Sequence, residues 1–532
     1  MSHDDRIEGR RAGARALVVA GCGDRAAVWD TPGAPVEARG LLGAVAIIDA
    51  PAERALMLPV EGDLRIAPVS LPIGRGFSTA KSTPDGRRLL VLARGDVPRK
   101  RASDQAPSLT LIDGSTSPSV LGRYELSDPF SGLALDPEEQ FSVVYPTEAD
   151  AAFVENPNEL MIVDLSKPPG ASNPKPFTLR SFGGRPKELR LTPKLSLPGG
   201  ITRLLVVETD RDVALLDLGH LDHPEITVKL TSGAEPVTPA GVAVHDGEPD
   251  RTDDARIAIR LADRPDVVVL DLLPLSPDEQ AASPQTFRPL PNVVDVGGVP
   301  GDVAFVRTDG GLRLAAPIPA RSVLSLVDPV TGIGTDVPLG APFERISVVT
   351  DSVGPTDKGS DVALLWSASS PNVAFVTLGV TVGKPYKSVD RLELEQPVAD
   401  VLDVPAPNGH LKLLAAPGGD SFVVLNLPAR TASPILAAAG THAKVAADGL
   451  RAWMVAGGFD TLAELDLGTL HPKNLTLDRP VDDVFDVARR DGGRALVAVH
   501  PTGAVGLTIL DAEHPSLDQT REYAAVLLGG LP

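Results

Sequence analysis

Apolar residues along this chain come in short runs of five or six, and most of the runs come in pairs. The second runs span 108–113, 159–164, 213–217, 267–271, 323–328, 373–377, 422–426, 462–466 and 506–511. They end on Asp113, Asp164, Asp217, Asp271, Asp328, Thr377, Asn426, Asp466 and Asp511. A weaker first member, 64–69, precedes them. Upstream of several lies another apolar run opened by a tight turn, as at Asp85-Gly86, Asp448-Gly449 and Asp491-Gly492. Aliphatic and β-branched runs bounded by Gly, Pro and Asp are predicted strands. Their apolarity is continuous rather than alternating, which predicts strands covered on both faces.

The second runs recur at steps of 51, 53, 54, 57, 49, 49, 40 and 45 residues. Each step has room for about four short strands, and a unit of that size cannot bury both faces of its own sheet. The expectation is an all-β chain, a β-propeller of four-stranded blades with about nine or ten blade-like repeats. One large ring, a smaller ring with divergent additions, and two rings all fit this spacing; a single ring is the reading taken. The steps are longest between Asp113 and Asp328, where the proline-containing stretches 167–176 and 274–291 read as insertions decorating one face.

The repeat resembles the YVTN and lactonase-like propeller families, whose blades follow V-x-x-S-P-D-G-x-x-L-Y-V … V-x-V-I-D. Ser82-Thr83-Pro84-Asp85-Gly86-Arg87-Arg88-Leu89-Leu90-Val91 is similar to the first half, and Val267 to Asp271 to the second. The resemblance covers roughly 41–532 and implies the fold. That fold hosts many functions and implies no single one.

Composition supports the strand reading. Hydrophobic residues make up 43% of the 532, aromatics only 4%, so the core must be built from Val, Leu, Ile and Ala. The 51 prolines and 50 glycines suit short strands and turns, not long helices. A net charge of −20 repels phosphate backbones and argues against nucleic acid as a partner. Arg99-Lys100-Arg101 reads as a solvated loop. No stretch reaches the roughly 18 apolar residues of a spanning helix.

The one cysteine closes Val19-Ala20-Gly21-Cys22, behind Arg6, Arg10, Arg11 and Arg15. This resembles a bacterial lipobox, in which the thiol is lipidated and the chain is cut before it. The resemblance implies a signal peptide over 1–21 and lipidation at Cys22. A flexible tether over 22–40 and the propeller over 41–532 complete the division. Against it, Arg15 leaves an apolar run of only 16–21, shorter than the usual core of a signal peptide. The address it implies is the bacterial cell envelope, at the outer membrane or the periplasmic face.

Candidate chemistry is sparse. The recurrent Asp at each run end is read as a turn cap, because a metal site needs ligands from only a few blades. The acidic stretch 246–254 lacks calcium-loop spacing and contains Arg251, so a solvated loop is expected. His220-x-x-His223 lacks a third nearby zinc ligand and reads as a surface loop. No hydrolase or nucleotide-binding motif is present. No catalytic residue and no cofactor is therefore expected, and any metal site is left open. The reading is a lipid-anchored scaffold whose partner is an envelope protein or small ligand. The alternative is a metal-dependent lactonase-like hydrolase, with acids and His from several blades meeting at the channel mouth.

Overall fold

The computed structural model describes residues 37–61, 68–150, 152–180, 185–231, 237–248, 251–349, 361–380, 388–500, 505–515 and 522–526. They form ten four-stranded antiparallel sheets, the blades of one ten-bladed β-propeller. Blades 1 to 10 span 37–72, 77–125, 132–178, 186–229, 239–295, 304–338, 345–393, 400–436, 441–481 and 483–526. All nine expected second runs are third strands, one in each of blades 2 to 10. Blade 1 departs from expectation: its third strand is Arg54–Pro59, and Val69 begins its fourth strand, Val69–Pro72. Its first strand, Glu37–Leu41, takes in the end of the stretch read as a tether. Cys22 lies outside the described residues.

The continuous apolar runs have a simple physical cause. In blade 4, Leu204 and Val206 of the second strand pack toward blade 5, while Leu205 and Val207 pack toward blade 3. In blade 1, Val45 and Ile47 face blade 10, and Ala44, Ala46 and Ile48 face blade 2. Alternate side chains leave opposite faces of a strand, and here both faces meet a neighbouring sheet. The core is accordingly ten separate layers, one between each pair of adjacent blades.

First strands of several successive blades touch one another around the axis, and the first strand of blade 1 meets that of blade 10. Because the strands alternate in direction, first-to-second and third-to-fourth connections share one face, here called upper. Second-to-third and blade-to-blade connections share the lower face. Among the described residues no strand is exchanged between blades 1 and 10, so packing and polar contacts close the ring. Six apolar side chains from each blade make that layer, Ile47 and Val497 among them. The Gly43 N–H donates to Ala488 O at 2.7 Å. Arg490 of blade 10 pairs with Glu61 of blade 1 at 2.5 Å and donates to Gly114 O of blade 2 at 2.6 Å. Gly43 has φ +73, and a Cβ there would lie 2.6 Å from both partners of that ion pair.

Two of the Asp-Gly turns are followed by an arginine that bridges blades. Arg88 and Arg451 each open a second strand, Arg88–Ala93 and Arg451–Ala456. Arg88 donates to Leu165 O of blade 3 at 3.4 Å, and Arg451 donates to Ala512 O of blade 10. Each acceptor is the residue after the third-strand aspartate of the next blade.

Arg490→Met is expected to lower unfolding free energy by about 1–3 kcal/mol, the usual cost of losing hydrogen bonds to a partly buried charge. Arg87→Met, at an exposed side chain, is expected to change it by less than about 0.5 kcal/mol in the same urea titrations. A pH effect follows from His500, fully buried with Nδ1 on Pro480 O at 2.8 Å and Nε2 on Thr508 Oγ1 at 2.7 Å. Burial pushes its imidazole below the usual 6.5. The unfolded chain thus binds the extra proton first, so this contribution is complete above 6.5 and lost as pH falls below it. Thermal midpoints should fall between about pH 7 and 5, and His500→Gln should flatten that slope.

Candidate binding face

Five connections on the upper face of blades 3, 4 and 5 depart from tight turns. In blade 3, 165–174 links third and fourth strands. Asn173, nearly buried, donates from Nδ2 to Asp164 O at 2.9 Å and Lys167 O at 3.0 Å, which holds this proline-containing loop in shape. Tyr124 of blade 2 donates to Lys167 O at 2.9 Å, and Pro169 packs where a Cβ on Gly122 would sit, 2.8 Å away. In blade 4 a hairpin, Leu195–Leu197 with Gly200–Thr202, is inserted between the first and second strands. Leu195 and Leu197 are fully buried against Leu272 and Phe287 of blade 5. Nothing in the apolar pattern predicts this hairpin, because only two short side chains of it enter the core.

Blade 5 contributes two connections. Its third and fourth strands, Asp266–Pro274 and Phe287–Asp295, are nine residues each and carry a short helix, Pro277–Ala282, above the ring. Ser276 and Glu279 cap that helix reciprocally, each side chain serving the other's backbone N–H. The two proline-containing stretches expected to decorate one face are therefore both third-to-fourth connections, on the upper face.

These segments interlock. Ser196 of the hairpin donates its N–H to Asp246 at 3.2 Å, and Gln285 donates to Pro224 O at 2.6 Å. Lys194 pairs with Glu138 of blade 3 at 2.5 Å, and Arg203 with the nearly buried Asp136 at 2.8 Å. Lys175 of blade 3 donates to Leu221 O. The result is one raised sector over three consecutive blades. Between blades 3 and 4 it borders a cleft of about 400 Å³ lined by Lys175, Arg180, Asp222, His223 and Glu225.

The histidines lie within this sector. Their rings stack with centroids 5.0 Å apart and 8° between planes. His220 Nδ1 meets Asp217 at 2.9 Å, and Asp217 also accepts from Thr202 Oγ1 at 2.5 Å and Gly219 N–H at 2.9 Å. Asp217 is thus the buried post that ties loop 218–225 to the hairpin. In the acidic loop, Arg251 pairs with Asp253 at 3.0 Å and lies 3.6 Å from Asp254, neutralising part of its charge. At its edge His245 is pushed below its usual value by burial and by Arg256, against the pull of three nearby acids.

The recurrent aspartates stay apart, one per blade, and act on the backbone. Asp113, Asp164, Asp217, Asp328, Asp466 and Asp511 each accept an N–H from two or three residues ahead. The Thr469 N–H, with that of Gly468, holds the Asp466 carboxyl below the usual range against burial. Asp271 is the exception. Its strand runs on to Pro274, so there is no turn to cap, and it pairs with Arg256 at 2.5 Å instead. The basic stretch at Arg99 is a lower-face loop whose Lys100 and Arg101 N–H groups are tied to Asp104 at 2.7 Å. Among the described residues no three His, Cys, Asp or Glu side chains lie close enough to share a metal ion.

Asp217→Ala is expected to cost about 1–3 kcal/mol in urea unfolding, because three donors lose a common acceptor. Asp222→Ala, at an exposed neighbour, should stay within about 0.5 kcal/mol.

No known family profile matches the chain, and no curated protein is similar to it in sequence. Solved structures are similar to it in fold. A dihydro-heme d1 dehydrogenase, NirN, in complex with DHE shares 14% identity over 82% of this chain and 74% of its own, with a TM-score of 0.37. A eukaryotic initiation factor shares 13% over 76% and 87%, with a TM-score of 0.41. AztD from Citrobacter koseri shares 11% over 74% and 96%, with a TM-score of 0.32. What the chain has in common with them is the β-propeller alone.

Proposed function

We propose that this chain is a binding scaffold of the bacterial cell envelope, held to a membrane by lipid on Cys22, with the raised sector of blades 3 to 5 as its recognition surface. The observation that carries the proposal is the interlocking of five connections from three consecutive blades on one face. Connections carried on a rigid fold are where function accumulates. Holding them to each other in advance removes much of the ordering cost that binding otherwise incurs. Mixed charge at the cleft, with Lys175 and Arg180 facing Asp222 and Glu225, suits a polar protein surface or a zwitterionic ligand. Ile201, on the second strand of the hairpin, is 73% exposed and supplies an apolar anchor.

The anchor rests on sequence. Cys22 is the chain's one cysteine, small residues precede it, and fourteen residues separate it from the first strand. The YVTN-like repeat pattern is compatible with this role and adds no chemistry to it.

A photo-crosslinking residue at Ile201 should give a discrete adduct in intact cells, and the same residue at Phe153, on the lower face, should not. Identical adducts at both positions, or none at Ile201, would remove the upper face from consideration. Cys22→Ala should shift the protein from the membrane to the soluble fraction; unchanged fractionation refutes the anchor.

A further inference from the structure

The ten interblade layers are not equally sealed. The layer between blades 4 and 5 has seventeen fully buried apolar residues and three partly buried ones. The layer between blades 7 and 8 has seven of each, and that between blades 8 and 9 has ten and seven. Small side chains account for the difference. Ala415, Ala416 and Ala432 of blade 8 line the gap toward blade 7, Ala437 and Ala438 line the gap toward blade 9 with Ala456 and Ala463, and such short chains cannot span the space between sheets.

Two apolar clefts result on the lower rim. One, about 220 Å³, lies between blades 7 and 8 and is walled by Leu394, Val398, Phe422 and Pro434. The other, about 400 Å³, lies between blades 8 and 9 and is walled by Ile435, Met454 and Phe459. Leu436 belongs to both walls and is 81% exposed, and Phe459 is 56% exposed. Charge around them is one-sided. Glu393 and Glu395 wall the first cleft, neither makes an ion pair among the described residues, and no Lys, Arg or His lines either cleft.

We infer that the two clefts form one docking groove for an extended peptide. It would place a bulky apolar side chain on each side of Leu436 and a basic side chain against Glu393 and Glu395. An acyl chain would suit the apolar walls, but the anionic headgroup of a fatty acid would meet two carboxylates, so charge complementarity selects a cationic peptide. The groove is on the opposite face and in other blades from the raised sector, so it stands or falls independently of the function proposed above.

The test is fluorescence anisotropy with the full chain at physiological ionic strength, using a labelled peptide GKLKFKLKG and its acidic counterpart GELEFELEG. The basic peptide should bind at least about tenfold more tightly than the acidic one. Leu436→Asp and Ala438→Phe, the second filling a cleft, should each weaken it about tenfold, and Glu395→Lys should narrow the preference between the peptides. Urea unfolding of each variant identifies any loss that comes from misfolding. The proposal is overturned if neither peptide binds, if both bind equally, or if folded Leu436→Asp binds as the parent does. It is also overturned if sedimentation finds a dimer that Leu436→Asp dissolves, or if a fluorescent fatty acid occupies the groove in preference to the basic peptide.

Discussion

Everything in this fold depends on the two-sidedness of its middle strands. Successive residues such as Leu204 and Leu205 are both fully buried, yet they belong to different layers, because each serves a different neighbouring blade. A blade alone would leave both of its apolar faces in water, and burying a Val or Leu side chain is worth about 1.5–3 kcal/mol. No blade can be satisfied until both neighbours are in place, and the end blades can be satisfied only by each other. Closure is therefore a condition of stability, and among the described residues it involves no exchanged strand. The blade 10 to blade 1 layer is as apolar as most of the others, and Arg490 adds polar contacts across it to blades 1 and 2.

The same constraint explains what the sequence reveals and what it hides. Third strands are legible because they are mostly apolar on both faces and most end in an aspartate that caps the next turn, as Asp328 does for Val330 and Thr331. Blade 1 escapes because its third strand, Arg54–Pro59, ends in proline, so the pattern points to 64–69 instead. First and fourth strands are mostly only partly buried, and some are very short, as in Gly132–Leu135 and Lys175–Thr178, so their periodicity is weak. The blade count follows from ring closure, a tertiary fact that spacing along the chain does not contain.

The candidate site was less legible than the fold for a related reason. The Asp-His elements are visible in sequence as His220-x-x-His223 beside Asp217, but their role as a tie to Thr202 depends on an inserted hairpin. The acidic loop reads as solvent-facing, and its contact with Ser196 arises only because blades 4 and 5 are adjacent. Interblade arginines such as Arg451 show the reverse. Their position after Asp-Gly recurs in sequence, yet what they bind is a carbonyl of the next blade, visible only once the blades are assembled.

Recognition on such a ring is directed to faces and clefts because the sheet edges are blunted. At the axis, Arg39 donates to Ala80 O of the next blade at 2.9 Å, and Lys444 to Val484 O at 3.0 Å, so basic side chains occupy carbonyls of inner strands. On the outside, six of the ten fourth strands contain proline, including Pro289 and Pro291 in blade 5 and Pro434 in blade 8. A proline has no N–H to offer an added strand, and such edges resist pairing with another chain. This use of proline also accounts for part of its abundance in the chain. Since most outer edges carry proline and inner carbonyls are engaged, the two binding surfaces proposed above use other places: the connections raised over blades 3 to 5 and the layers left unfilled around Leu436.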